Sequence, residues 1–225
     1  VNQWNLSVPD DAGTVIPPHI ILTYSALNNA TRQRQSMWLR LNPTYSVSVF
    51  DNDMCAQFIQ EEYGASMASA FKSIRHGAIR ADMFRVLYLN ARGGIYADVD
   101  AVPTLPVDSL FDRRLSVPRL YVPASRHHGQ LNPMFMAATQ RHPTLISAVE
   151  TYRKLASLGS YSYWSWSVVS VLSILRIAGA PMDTSMKEVC PQKKNIFACV
   201  IRSSGGRDAM YLRGKDYDKK THKFS

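Results

Sequence analysis

Two aspartates one residue apart, Asp98 and Asp100, close the apolar run Ile95-Tyr96-Ala97-Asp98-Val99-Asp100-Ala101-Val102. Alternation along an extended segment sends both carboxylates to the same side. Like charges held together raise each other's pKa unless a cation sits between them. Paired hard oxygen ligands suit Mg²⁺ or Mn²⁺, which normally also take phosphate oxygens from a substrate. Asp-x-Asp alone occurs in many surface turns. Its weight here comes from what precedes it. The two residues are also too close in sequence to flank a glycosidic bond from opposite faces, which argues against a two-carboxylate hydrolase.

What precedes it is a helix expected over about Gly77 to Ala91, stopped by Gly93-Gly94 in left-handed conformation. Ala78, Ala81, Met83, Phe84, Val86, Leu87, Tyr88 and Leu89 cover every face of it, so it is buried. Yet it carries Arg80, Asp82 and Arg85. Asp82 and Arg85 are three apart, about 60° around the axis. Isolated buried charges cost several kcal/mol, so these are either an internal ion pair or ligand contacts.

Those residues need a scaffold. After Pro17-Pro18, His19-Ile-Ile-Leu-Thr-Tyr24 reads as a buried parallel strand, followed by a helix from about Arg32 to Leu41. Asn42-Pro43 turns the chain into the alternating strand Tyr45-Ser-Val-Ser-Val-Phe50, and Asp51-Asn52-Asp53 supplies an N-cap for a helix over roughly Met54 to Tyr63. Strand, helix, strand, helix within the first third argues for a doubly wound α/β sheet. No internal repeat or linker splits the chain. Trp164 to Ala180, the longest apolar stretch, carries four serines and Arg176 and reads as a buried helix too short to span a membrane comfortably.

The 225 residues suffice for one substantial domain, and 46% apolar with 19% charged excludes a disordered or low-complexity chain. The formal charge of +9 permits nucleic acid, anionic membrane or phosphorylated small molecules without choosing among them. From Lys187 to Ser225 ten Lys/Arg face four Asp/Glu, so +6 of that charge lies in the tail, as a solvated segment or as a phosphate-attracting rim. Cys55, Cys190 and Cys199 form neither a disulfide framework nor a metal-binding spacing. Asn5-Leu-Ser7 and Asn29-Ala-Thr31 are formal glycosylation acceptors, and no signal peptide is visible. An anchor upstream of Val1 stays open. His127-His128, adjacent in sequence, cannot easily share one ion from opposite faces of a strand.

The segment Ile79-Arg-Ala-Asp-Met-Phe-Arg-Val-Leu-Tyr-Leu-Asn-Ala-Arg-Gly-Gly-Ile-Tyr-Ala-Asp-Val-Asp100 resembles the signature of glycosyltransferases with a DXD sugar-binding region. These include fungal initiating α-1,6-mannosyltransferases, inositol-phosphoceramide mannosyltransferases and, more distantly, clostridial glucosylating toxins. Ile16-Pro-Pro-His-Ile-Ile, Asn42-Pro-Thr-Tyr45, Gln130-Leu-Asn132-Pro-Met-Phe-Met-Ala and Arg141-His-Pro143 extend the likeness over about residues 16 to 155.

The resemblance implies a GT-A fold, a Rossmann-like nucleotide-binding half (16–105) continuous with a smaller acceptor half and basic tail (106–225), after an N-terminal extension (1–15). It implies a retaining, Mn²⁺- or Mg²⁺-dependent hexose transfer from GDP-mannose or a UDP-sugar to a glycan, lipid or protein. Asp100 would bind the metal and Asp98 would bridge donor and metal. Asp82 and Arg85 would bind the donor sugar, with Arg85 near the diphosphate. Arg80, Tyr96 and Asn132 would line the donor site. Tyr24 stands where relatives stack a tryptophan on the base, and His222 is the C-terminal candidate to complete the metal sphere. Trp166-Ser-Val-Val-Ser170 lacks the Thr-Gly-Pro of many relatives. Tyr161-Ser-Tyr-Trp-Ser-Trp166 suits either a sugar-stacking surface or the core. The resemblance favours the Golgi lumen or the membrane-associated secretory pathway, with the cytoplasm as the alternative. The other reading is a basic nucleic-acid- or phosphate-binding module on a degenerate transferase fold. No zinc finger, helix-turn-helix or RNA-reading motif supports it, and no nucleic-acid partner is expected.

Overall fold

The computed structural model describes residues 13–112, 114, 116–126, 130–159, 162–189, 200–202, 205–211, 217–218 and 223–224. Tyr161, Cys190, Cys199, His127, His128 and His222 lie outside the described residues, as does most of the N-terminal extension.

Strand β1 (His19–Thr23), helix α1 (Asn29–Leu41), strand β2 (Ser46–Phe50) and helix α2 (Asn52–Tyr63) appear in the expected order. Helix α1 begins earlier than its apolar pattern because Asn28 builds a capping box. Its side chain accepts from the Thr31 amide at 3.0 Å, and the Thr31 hydroxyl accepts from the Asn28 amide at 3.0 Å. Asp51 caps α2 as expected, accepting from the Met54 amide at 2.9 Å. Helix α3 (Ala65–Ser73) had no sequence signal beyond a modest apolar stripe. It is followed by α4 (Gly77–Arg92) and strand β3 (Gly94–Asp98). Every residue of α4 from Asp82 to Asn90 is buried.

The chain continues through β4 (Val102–Pro103), β5 (Leu120–Tyr121), β6 (Phe135–Ala138), α5 (Pro143–Ser157), α6 (Tyr163–Trp166) and α7 (Val168–Ile177). It then adds β7 (Lys187–Val189), β8 (Val200–Arg202) and β9 (Asp208–Tyr211). The central sheet runs β2-β1-β3-β6-β5. Strand β1 is parallel to both β2 and β3, while β6 is antiparallel to β3 and β5. A second, antiparallel sheet runs β4-β9-β8-β7. The α/β class expected from the first third is therefore what forms.

Strand alternation divides the core between the two sheet faces. Ile21, Tyr96 and Met136 pack under α2 to α5 and α7, whereas Ile20, Leu22, Ile95, Ala97 and Phe135 pack towards Trp38 of α1 and Ile201 and Met210 of the second sheet. Strand β1 leaves through α1 to β2 on one side and has β3 on its other. The carboxyl ends of β1 and β3 thus flank a topological switch point, where open α/β sheets bind ligands.

Two expectations need correction. The single buried helix expected over Trp164 to Ala180 is two helices broken at Ser167, and α7 exposes 67% of Ile174 and 87% of Ile177. The break is made by a long-range contact, the acceptance of the Val168 amide by Asp82 at 3.1 Å, which no local pattern encodes. Strand β3 ends at Asp98, and the Ala101 amide donates to the Asp98 carbonyl at 2.9 Å. Asp98 and Asp100 therefore belong to a tight turn, not to one face of an extended segment.

Gly93 ends α4 with φ 67° and ψ −161°, a conformation reserved for glycine, and a Cβ there would lie 2.8 Å from the Gln140 amide nitrogen. Gly64 has φ 86° with nothing within 4 Å of such a Cβ. Gly64→Ala is expected to lose about 1–3 kcal/mol from backbone strain alone, and Gly93→Ala more, read as urea midpoints.

His142 caps α5, its Nδ1 accepting from the Thr144 amide at 3.3 Å, and is 2% exposed. Burial, reinforced by the charge of Arg119, lowers its pKa to about 4. The unfolded chain gains this proton near pH 6.5 and the native chain only near 4, so stability is lost as pH falls through that window, by about 3 kcal/mol in all. His142→Asn, which keeps an acceptor at the cap, should flatten the stability profile between pH 6.5 and 4 relative to the wild type.

Candidate active site

Because β3 alternates, Tyr96 and Asp98 share the sheet face that α4 covers. On α4, Asp82 and Arg85 project from neighbouring turns of the same helix face. The guanidinium of Arg85 lies 4.2 Å over the Tyr96 ring, 3.0 Å from Asp82 Oδ1 and 3.1 Å from Asp98 Oδ1. Its Nε donates to the Ala81 carbonyl at 3.3 Å, and its Nη1 donates to the Pro133 carbonyl. All three guanidinium nitrogens are thus engaged by the protein. The alternatives left open by the sequence resolve into something larger than an internal pair, since one cation joins two carboxylates from separate elements.

Tyr96 completes the arrangement. Its hydroxyl donates to Asp98 Oδ1 at 2.9 Å, and the Thr23 hydroxyl, 2.9 Å away, is left to donate to the Tyr96 oxygen. Burial pushes the Tyr96 phenol well above its ordinary pKa, so it stays a neutral donor. Burial also raises Asp82, an effect that Arg85 and the Val168 amide only partly offset. For Arg85, burial works against the charge, but Asp98, Tyr96 and Asp82 outweigh it and hold the pKa above the ordinary arginine value. The Asp98 amide donates to the Met134 carbonyl at 2.8 Å, which ties the start of the acidic turn to the segment before β6.

A cavity of about 740 Å³ opens at this point. Tyr24, Arg80, Arg85, Tyr96, Asp98 and Asp100 line it together, so six of the sequence candidates are brought to one place. Arg80 also closes the end of α3, its Nε donating to the Ile74 carbonyl at 2.7 Å. Asp82 and Asn132 are not among the lining residues. Asp82 spends its oxygens on Arg85 and Val168. The Asn132 amide donates to Glu188 Oε2 at 3.2 Å, and its oxygen accepts from the Met134 amide at 3.2 Å.

The sequence reading missed other parts of the wall. Asn52, His76 and Tyr163 line the cavity, and the rings of His76 and Tyr163 meet edge-on at 5.4 Å. Tyr163 belongs to the aromatic cluster already noted; Asn52 and His76 sit at helix starts, where no local pattern separates a cavity residue from a cap. Cys55 also lines the cavity, but burial raises its thiol far above the ordinary range, so it is no nucleophile.

The donor set fits a divalent cation. Asp98 commits its Oδ1 to Arg85 and Tyr96, and Asp98 and Asp100 both line the cavity. Among the described residues no cluster of three metal-ligating side chains exists. Mg²⁺ and Mn²⁺ commonly take one or two carboxylates and complete their sphere with water and substrate phosphate. No helix among the described residues is long and apolar enough to cross a membrane.

Removing the cation from this cluster leaves the buried carboxylate of Asp82 facing the half-buried one of Asp98. Arg85→Ala is therefore expected to lose about 3–5 kcal/mol in urea denaturation at pH 7, and Arg85→Lys most of that, because one ammonium cannot span Asp82, Asp98 and Pro133. Asp82→Asn should cost less than Arg85→Ala, since burial already disfavours the charged form of Asp82.

Comparison with known proteins points to glycosyltransferases. The family of the glycosyltransferase sugar-binding region containing the DXD motif matches residues 28–116. The initiation-specific alpha-1,6-mannosyltransferase of Candida albicans is 37% identical over 76 residues, 33% of this chain and 20% of that protein. Its counterpart in Saccharomyces cerevisiae is 29% identical over 117 residues, 48% of this chain and 24% of that protein. A mannosyl phosphorylinositol ceramide synthase of Saccharomyces cerevisiae is 28% identical over 163 residues, 68% of this chain and 39% of that protein. The chain thus spans about a fifth to two fifths of the length of these relatives. Among solved structures, the PaToxG glycosyltransferase superposes with a TM-score of 0.55 at 14% identity, over 73% of this chain and 70% of that one, which shows a shared fold of the GT-A type. The match over residues 28–116 places Asp98-Val99-Asp100 within a region similar to the glycosyltransferase sugar-binding region containing the DXD motif.

Proposed function

We propose that this chain transfers a hexose, with retention of anomeric configuration, from a nucleotide-sugar to a glycan, glycolipid or protein acceptor. The observation that carries the reading is the placing of Asp98 and Asp100 at the edge of a 740 Å³ cavity while Arg85 holds Asp98 from below. The family resemblance supports the Golgi lumen or the membrane-associated secretory pathway as compartment. The names of the mannosyltransferase relatives support mannose as the hexose, which makes GDP-mannose the donor of first choice. They give no support to a nucleic-acid partner, and the basic tail suits a membrane-proximal or phosphate-facing role better.

Asp100 and Asp98 are the residues that would hold Mn²⁺ or Mg²⁺. Bound there, the ion supplies Lewis-acid neutralisation of the donor diphosphate. The rest is the work of the chain. Tyr24, just after β1, would stack on the base, and Arg80 would add positive charge to the same wall. Arg85 and the Tyr96 hydroxyl orient Asp98 before any substrate arrives, so little reorganisation is needed when charge builds up on the departing diphosphate. Asp82, tied to Arg85 and Val168, supports that arrangement and fixes the start of α7 beside the cavity.

Asp82, Asp98 and Asp100 are all committed to the frame or to the donor, which leaves no carboxylate of the motif as a nucleophile under the anomeric carbon. A front-face route follows, with donor and acceptor held in near-attack geometry and the leaving diphosphate helping to deprotonate the acceptor.

Four measurements test this reading. In thermal-shift titrations, GDP-mannose with Mn²⁺ should stabilise the chain, by about 2.7 kcal/mol at a hundred times Kd, and GDP-mannose in EDTA should not. Asp100→Ala should fold and fail to transfer; undiminished transfer in excess EDTA contradicts the metal-dependent reading. NMR of the product linkage should show the donor's configuration, and intact mass with a slow fluorinated donor should show no glycosyl-enzyme adduct.

A further inference from the structure

Outside the motif, one buried carboxylate gathers an unusual number of donors. Glu188, on β7, has a side chain only 11% exposed. Its Oε2 accepts from the Ser125 hydroxyl at 3.0 Å, the Arg126 amide at 3.2 Å and the Asn132 amide at 3.2 Å. Its Oε1 lies 3.7 Å from the Arg126 guanidinium. These partners sit on both arms of a loop whose arms are joined by the Ser125 amide on the Gln130 carbonyl at 2.9 Å and the Asn132 amide on the Pro123 carbonyl at 2.7 Å. The backbone of Glu188 joins in, its amide donating to the Ala124 carbonyl at 2.8 Å.

The far arm of that loop leads directly to the acidic turn. Asn132, held by Glu188, accepts from the Met134 amide. The Met134 carbonyl accepts from the Asp98 amide, and the Pro133 carbonyl accepts from Arg85. Hydrogen bonds joined by the backbone of residues 132–134 therefore link Glu188 to Arg85 and Asp98. Glu188 itself is not among the residues that line the cavity.

We propose that Glu188 is a positioning residue for the transfer centre: by tying Ser125 and Arg126 to Asn132 it fixes the Pro133 and Met134 carbonyls that hold Arg85 and Asp98 in register. This rests on the function proposed above but concerns a residue that lies outside the matched motif. Charge matters to the clamp, because a carboxylate accepts more strongly than a neutral oxygen and can serve four donors at once. Glutamine keeps one acceptor oxygen and the shape. Alanine removes both and leaves the Asn132 and Ser125 donors to find other partners.

The test compares Glu188→Ala and Glu188→Gln in the full chain, using GDP and GDP-mannose with Mn²⁺ as probes. Displacing Arg85 and Asp98 by a fraction of an ångström should lower kcat for GDP-mannose turnover by about tenfold to a hundredfold in Glu188→Ala. The Kd for GDP with Mn²⁺ should rise by a smaller factor than kcat falls, because Asp100 and the base wall at Tyr24 stay in place although Asp98 shifts. Glu188→Gln, which keeps one acceptor but not the charge, should recover part of the kcat. Hydrogen exchange supplies a readout that needs no turnover: in Glu188→Ala the Asp98 amide, which reports its bond to Met134, should exchange faster than in the wild type and Glu188→Gln. Unchanged exchange at Asp98 overturns the inference, as does full kcat in Glu188→Ala with an active wild type. Absence of GDP binding by the wild type would instead overturn the function on which the catalytic half of the inference rests.

Discussion

The buried guanidinium of Arg85 is the interaction on which the site depends. A full charge inside the protein is tolerable only if opposite charge and oriented dipoles surround it. Here the surroundings come from four places at once: Asp82 one helical turn back, the Tyr96 face and Asp98 on the neighbouring strand, and the Pro133 carbonyl from the segment before β6. None of these could move alone without leaving a charge uncompensated. The same set of contacts that makes the burial tolerable therefore fixes where Asp98 stands.

That constraint explains several features at a distance. The alternation of β3 places Tyr96 and Asp98 on the α4 face, and Gly93 lets the chain reverse tightly enough for α4 to lie back over the strand it precedes. Asp82, having given one oxygen to Arg85, uses the other to accept the Val168 amide, which sets the beginning of α7. Ala101 closes the turn that carries Asp100, and β4 then leaves to pair with β9 of the second sheet. Fold and site are in this sense one piece of bonding.

Much of this was legible in the sequence, for identifiable reasons. The strand-helix order of the first third was readable because capping residues and periodicity agree there: Asp51 before α2, clean alternation in β2, and the paired glycines after α4. The charged residues of α4 stood out because a helix apolar on every side should carry none. Asp98 and Asp100 were found, but not their geometry, since a turn closed by a backbone hydrogen bond looks in sequence like two more alternating positions. The break between α6 and α7 and the part played by Glu188 could not be read at all. Both are contacts between residues more than fifty positions apart, made by side chains whose local sequence is ordinary.

The central claim is that this prearranged acidic turn binds a metal-nucleotide pair. Electron paramagnetic resonance of Mn²⁺ tests it most directly, by counting free ion as the chain is titrated with and without GDP. The account expects about one Mn²⁺ withdrawn per chain when GDP is present, much weaker binding without it, and loss of both in the Asp100→Asn variant, because two carboxylates alone leave the ion's sphere incomplete. Mn²⁺ uptake that ignores GDP, or that survives the loss of Asp100, would contradict it.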